Sequence, residues 1–171
     1  MEEDWEQHAD RLAARSLATG DATGWFEQLY AAGRAGSVAM PWSREHPHPV
    51  LASWTRERAL GGTGLRAVVV GCGLGADAEH VAALGYDTVA FDVSGTAVDL
   101  ARDRHPGSTV RYVVAAARGE ADPEPDGPPW PLTRDEVEAF AAGDLGAVAI
   151  NRIPDQDDPA FARWLAEFRR P

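Results

Sequence analysis

Residues 67–84 read AVVVGCGLGADAEHVAAL, and the three glycines in the middle decide how the chain folds. A run of small branched apolar residues, Ala67 to Val70, stops at Gly71, Gly73 and Gly75. An amphipathic run begins at once. Four apolar residues in a row without alternation predict a short parallel strand buried on both faces. The run from Asp77 to Leu84 predicts a helix. Glycine lets the backbone turn tightly between the two and lets a ligand approach with no Cβ in the way. The new helix points unpaired N–H groups at the same spot.

Working outward, DTVAFD (87–92) reads as a second strand and Ser94 to Arg104 as a second helix. Ser94 is its expected N-cap, with Val98 and Ala101 facing inward. TVRYVV (109–114) is a third strand. Strand, helix, strand, helix, strand implies right-handed crossovers and a parallel sheet. Asp92 ends the second strand, 21 positions after Gly71. A carboxylate there can accept hydrogen bonds from both hydroxyls of an adenosine ribose. Spacing alone leaves the cofactor open. Gly71-x-Gly73-x-x-Ala76 also satisfies the nicotinamide-dinucleotide fingerprint with alanine in third place.

The flanks are less regular. Residues from about Glu3 to Ala18 predict a polar helix, and Trp25, Phe26, Leu29 and Tyr30 fall at helical spacing. AGRAGSVAMPWSREHPHP (32–49) is rich in Gly and Pro and reads as a loop. Val50 to Leu60 is helical again, marked by Leu51, Trp54 and Leu60. After Val114 comes a Pro-rich acidic stretch with no period. TRDEVEAFAAG (133–143) then reads as a capped helix, with Thr133 at the N-cap, Glu136 at N3 and Gly143 at the end. LGAVAINRI (145–153) predicts a strand. FARWLAEFRRP (161–171) fits a helix through Phe161, Trp164, Leu165 and Phe168. It fits a strand through Trp164, Ala166 and Phe168. The expected organisation is a helical cover over 1–62, a β-α-β-α-β core over 63–114, and a loop, helix and strands over 115–171.

Composition narrows the function. At 171 residues the chain is long enough for one real core. Its net charge of −11 offers no basic patch, which argues against nucleic acid as a partner. No apolar run approaches the ~20 residues of a membrane span. The acidic start MEEDWEQHADRLAARS does not fit a secretory signal. The one cysteine, Cys72, cannot form an internal disulfide and fits a reducing cytoplasm.

Residues VVVGCGLGADAEHVAALGYDTVAFDVSGTAVDLARDRHPGS (68–108) resemble class I S-adenosylmethionine-dependent methyltransferases, most of all the thiopurine-methyltransferase-like (methyltransferase type 11/12) group. WFEQLYAAG and MPWSREHPHPVL look like that group's N-terminal cover, and GPPWPLTRDEVEAFAAGDL with the RRP end like its C-terminal third. The resemblance implies a Rossmann-like α/β fold, a parallel sheet with crossover helices. It implies Gly71, Gly73 and Gly75 along the methionine part of S-adenosylmethionine or S-adenosylhomocysteine, and Asp92 on the ribose. Cys72 and Val93 complete the expected cofactor-lining set, and Trp42 lies in the loop closing over it. Many members carry an acidic residue two before the first glycine, where Val69 stands here.

The comparison also exposes a hole. The family pattern continues with central strands four and five, and the end of the fourth faces the transferable methyl group. Here VRYVVA runs straight into the Pro-rich loop, so roughly 50–60 residues are absent relative to that pattern. An omitted segment and a genuine deletion both account for it. Without its usual neighbour, strand RAVVV becomes an open edge. GAVAIN or RWLAEF, from the same chain or from a partner copy, is expected to cover it, and a homodimer is the favoured outcome.

The remaining candidates have plainer readings. His46 and His48 are chemically able to act as bases or ligands, but lie among prolines with no carboxylate or thiol in register, so no metal site is expected. His80 packs or is exposed. Cys72 is a small filler with no sequence-adjacent activator. Asp77 and Glu79 suit a helix N-terminus. Trp5, Trp54 and Trp164 read as packing, while Trp25 and Trp42 are candidates for lining a substrate cleft. No catalytic base is assigned, since methyl transfer from a sulfonium asks mainly for orientation and a dry cleft. Three functions follow. The first is methyl transfer to a small-molecule acceptor. The second is a shortened methyltransferase-like binding module. The third is an NAD(P)-dependent oxidoreductase, for which no second set of catalytic residues is visible.

Overall fold

The computed structural model describes residues 5–21, 23–38, 40, 42–115, 134–139, 146–154 and 162–169. The chain divides into two compact units, Met1–Pro128 and Pro129–Pro171.

The first unit is built on three parallel strands: β1 (Arg66–Val70), β2 (Asp87–Asp92) and β3 (Arg111–Val114), in that spatial order. Val69 pairs with Ala90, and Ala90 with Tyr112. Ahead of the sheet come three helices: α1 (Trp5–Ala18), α2 (Gly24–Arg34) and α3 (Pro49–Glu57). The two crossovers are α4 (Ala76–Ala83) and α5 (Gly95–Arg104). This is the expected α/β, Rossmann-like arrangement.

Right-handed crossovers that step the same way, β1 to β2 to β3, leave both their helices on one face of the sheet. Ala78 of α4 and Val98 and Ala101 of α5, each 0% exposed, therefore pack with Ala90, Tyr112 and Val69. Ser94 caps α5 as expected, accepting from the Ala97 N–H at 3.0 Å. The opposite face carries Val68, Val70, Val89, Phe91 and Val113. Among the described residues no helix covers it. Val68 is 65% and Val70 62% exposed.

This corrects the sequence reading of β1 as buried on both faces. The unbroken apolar run suits a strand in mid-sheet, where crossovers leaving in both directions place helices on both sides. With the sheet running one way only from β1, the strand's burial alternates instead.

The N-terminal helices form their own core. Ala9 and Ala13 of α1 pack on Trp25 and Leu29 of α2, with Val38 beside them. Asp21 turns the chain between the two helices, its Oδ1 accepting from the N–H groups of Thr23 and Gly24. Glu27 then fastens α2 to the start of α5. Its Oε2 accepts from Ser94 Oγ at 2.7 Å and from the Thr96 N–H at 3.0 Å. Pro49 opens α3, where a missing N–H costs nothing. Thr55 Oγ1 and His80 Nε2, 2.9 Å apart, join α3 to α4.

The second unit holds α6 (Arg134–Ala139) and an antiparallel pair, β4 (Gly146–Pro154) and β5 (Ala162–Arg169). The two-way reading of the tail resolves as a strand, because Leu165 and its neighbours pair with β4. Of the alternatives left open for the edge of RAVVV, pairing with GAVAIN of the same chain is not among the strand pairings of the described residues. GAVAIN belongs to the two-stranded sheet, since a near neighbour in sequence closes a shorter loop than β1 would. The expected cap residues Thr133 and Gly143 of the late helix lie outside the described residues.

Candidate functional site

The three glycines sit where they are needed. Gly71, Gly73 and Gly75 have φ of +62°, +50° and +92°, a region that side chains disfavour. The Cys72 N–H still reaches the Phe91 carbonyl at 3.0 Å, so the turn begins while attached to the sheet. The Gly75 N–H closes it on the Cys72 carbonyl at 2.9 Å. α4 starts on the next residue.

Asp92 joins this turn to the one after β2. Its Oδ2 accepts from the Gly73 N–H and its Oδ1 from the Ser94 N–H, both at 2.9 Å. A carboxylate offers about four acceptor positions, so each oxygen keeps one for a ligand. The side chain is fixed before any ligand arrives, and Asp92 is only 6% exposed.

Above the turns lies a cavity of about 440 Å³, within the range of small-molecule sites. The expected cofactor residues Gly71, Cys72, Gly73, Gly75, Asp92, Val93 and Trp42 all line it. Trp25 does not. It is 2% exposed in the α1–α2 core and backs the cavity wall from behind, stacked on Phe26 at 3.8 Å and 6.2 Å from Trp42 between ring centroids.

Helix α2 explains the difference. Trp25 and Leu29 lie four apart on one stripe and face α1. Phe26 and Tyr30, also four apart on the adjacent stripe, line the cavity. Trp42 lies 6.1 Å from Phe26 and 6.4 Å from Tyr30 between ring centroids. The spacing was legible in the sequence, but both stripes are apolar, so nothing local said which one met the ligand space.

Tyr30 and Cys72 are held neutral. Burial, then the negative charge of Asp92, raises the Tyr30 hydroxyl above its ordinary range. The same two causes push the Cys72 thiol up to about 12, so it is a poor nucleophile at neutral pH. Arg44, His46 and Asp77 also line the cavity, and sequence reasoning had assigned none of them to it. His48 acts at the head of α3, where its Nδ1 accepts from the Val50 N–H at 3.2 Å. Among the described residues no three His, Cys, Asp or Glu side chains group as metal ligands would. No described helix is long and apolar enough to cross a membrane.

Comparison with known proteins bears on this same region. Residues 68–127, a little over a third of the chain, match the family model Methyltransf_11, described as a methyltransferase domain. A solved structure described as "Conversion of a Disulfide Bond into a Thioacetal Group during Echinomycin Biosynthesis" is 29% identical. That similarity covers 53% of this chain and 39% of that one, with a TM-score of 0.45. The chain thus spans about two fifths of that protein's length. No curated protein matches.

Proposed function

We propose that the cavity binds S-adenosylmethionine and that the protein transfers its methyl group to a small-molecule nucleophile. The observation that carries this is Asp92, pre-set by two backbone N–H groups at the base of the cavity. It lies inside the segment that matches a methyltransferase domain.

The chain's residues fit such a cofactor. Asp92 has spare acceptor positions for two ribose hydroxyls. Gly71 and Gly73 present backbone without side chains, and a Cβ added at Gly71 would meet no protein atom within 4 Å. Phe26, Tyr30 and Trp42 supply an apolar wall that excludes water. When bound, the cofactor supplies an electrophilic methyl group on a sulfonium centre. The protein's part is to bind, orient and keep the site dry. Cys72 and Tyr30, both held protonated, stay out of competition with the acceptor. The resemblance to the thiopurine-methyltransferase-like group favours a sulfur, oxygen or nitrogen acceptor of small size. The single reduced cysteine is in keeping with a cytoplasmic setting.

Calorimetric titration of the full chain with S-adenosylmethionine, S-adenosylhomocysteine and NADH tests this reading. Saturable heat with a sulfur ligand is expected. Heat with NADH and none with either sulfur ligand would replace it with the oxidoreductase reading.

A further inference from the structure

Segment 42–48 crosses the cavity between α2 and α3 and contributes Trp42, Arg44 and His46 to its wall. It has no regular structure of its own. An irregular connection of this kind is ordinarily the mobile part of a domain. Here two helices that start from the glycine and Asp92 turns hold it down.

Arg104, the last residue of α5, donates from Nη1 to the Arg44 carbonyl and from Nη2 to Ser43 Oγ, each at 3.1 Å. Asp77, the second residue of α4, accepts the His48 N–H on Oδ1 at 2.6 Å. The segment is therefore tied at 43–44 and at 48, with Glu45 to Pro47 between the ties. Neither tie needs a ligand. We propose that Arg104 is a positioning residue. By pinning segment 42–48 through Ser43 and Arg44, it holds Trp42 against Phe26 and Tyr30 and so sets cofactor affinity from outside the cavity.

The inference rests on the function proposed above for its ligand, but not for its geometry. Arg104 also has a simpler use, as a cation favoured at a helix C-terminus. Chemistry separates the two. The planar guanidinium reaches two acceptors at once, whereas a lysine ammonium keeps the charge and lacks the fork.

The experiment compares the parent chain, Arg104→Lys and Arg104→Met in two measurements. The first needs no ligand: acrylamide quenching of tryptophan fluorescence. Arg104→Met should be quenched more strongly than the parent, with Arg104→Lys between them. Adding Trp42→Phe to each should erase the difference. The second is S-adenosylhomocysteine affinity by calorimetry. Arg104→Met should weaken it about five- to ten-fold with the melting temperature little changed, and Arg104→Lys should recover part of the loss. Equal quenching in all three proteins overturns the proposal. So does an Arg104→Met protein that binds as tightly as a parent that does bind. A parent that binds no sulfur ligand while Arg104→Met still raises quenching overturns the cofactor assignment and leaves the strap standing.

Discussion

The Asp92 carboxylate accepts the Gly73 N–H at 2.9 Å, so the end of β2 holds the shape of the turn that ends β1. A ligand on Asp92 and a ligand on the glycine turn are therefore felt by one hydrogen-bonded unit. Asp92→Ala strands two backbone N–H groups, those of half-buried Gly73 and buried Ser94, and removes the carboxylate proposed above to hold the ribose. Loss of about 1–3 kcal/mol of stability is expected, with ligand affinity down at least about ten-fold. Denaturant unfolding and calorimetry check the two effects. Wild-type values in both would remove Asp92 from the site.

Gly73 tests the turn from the other side. A Cβ there would lie 2.9 Å from Tyr30 Oη, on a backbone at φ +50°. Gly73→Ala is expected to cost about 1–3 kcal/mol from backbone strain, plus the displacement of Tyr30. In a Tyr30→Phe background the oxygen is gone and only the strain remains. A double-mutant cycle should then be non-additive, Gly73→Ala being milder in the Tyr30→Phe background than beside the native tyrosine. Strict additivity would mean that the phenol gives way freely.

Glu27 predicts an acid limb in the stability curve. Its partial burial raises the carboxyl pKa, but hydrogen bonds from Ser94 and Thr96 outweigh this and hold it below its ordinary 4.5. A group with a depressed folded pKa adds stability above its unfolded value, and loses it as pH falls through the folded value. The α2–α5 contact should therefore weaken below about pH 4.5. Glu27→Gln should lower stability at pH 7 and flatten the curve below that point. Urea midpoints from pH 3 to 7 decide it. Parallel curves for the two proteins would exclude Glu27 as the source.

The open side of β1 predicts self-association. Val68 and Val70 are exposed beside an edge that, among the described residues, pairs only with β2. Edges of this kind attract another strand. The net charge of −11 opposes it between identical copies. Salt screens the repulsion and leaves the apolar attraction, so dimer content should rise between 0.01 and about 0.5 M ionic strength. Light scattering at micromolar concentration reads the outcome. A monomer at every salt concentration, with β1 amides exchanging freely, would refute it.

Much of the site was legible without coordinates, for a local reason. A positive-φ turn needs glycine at the turning residues, a helix start needs a cap such as Ser94, and a carboxylate at a strand end stands out at Asp92. Each signal involves residues a few positions apart or a regular strand–helix repeat. What only the tertiary structure decided depends on distant partners. Arg104 meets Arg44 across 60 positions and Glu27 meets Ser94 across 67. The two apolar stripes of α2 differ only in what lies opposite them, α1 for Trp25 and the cavity for Phe26. The apolar run of β1 shows that the strand can be buried. Whether both its faces are buried depends on where the chain's other elements go, and here both crossovers step to the same side.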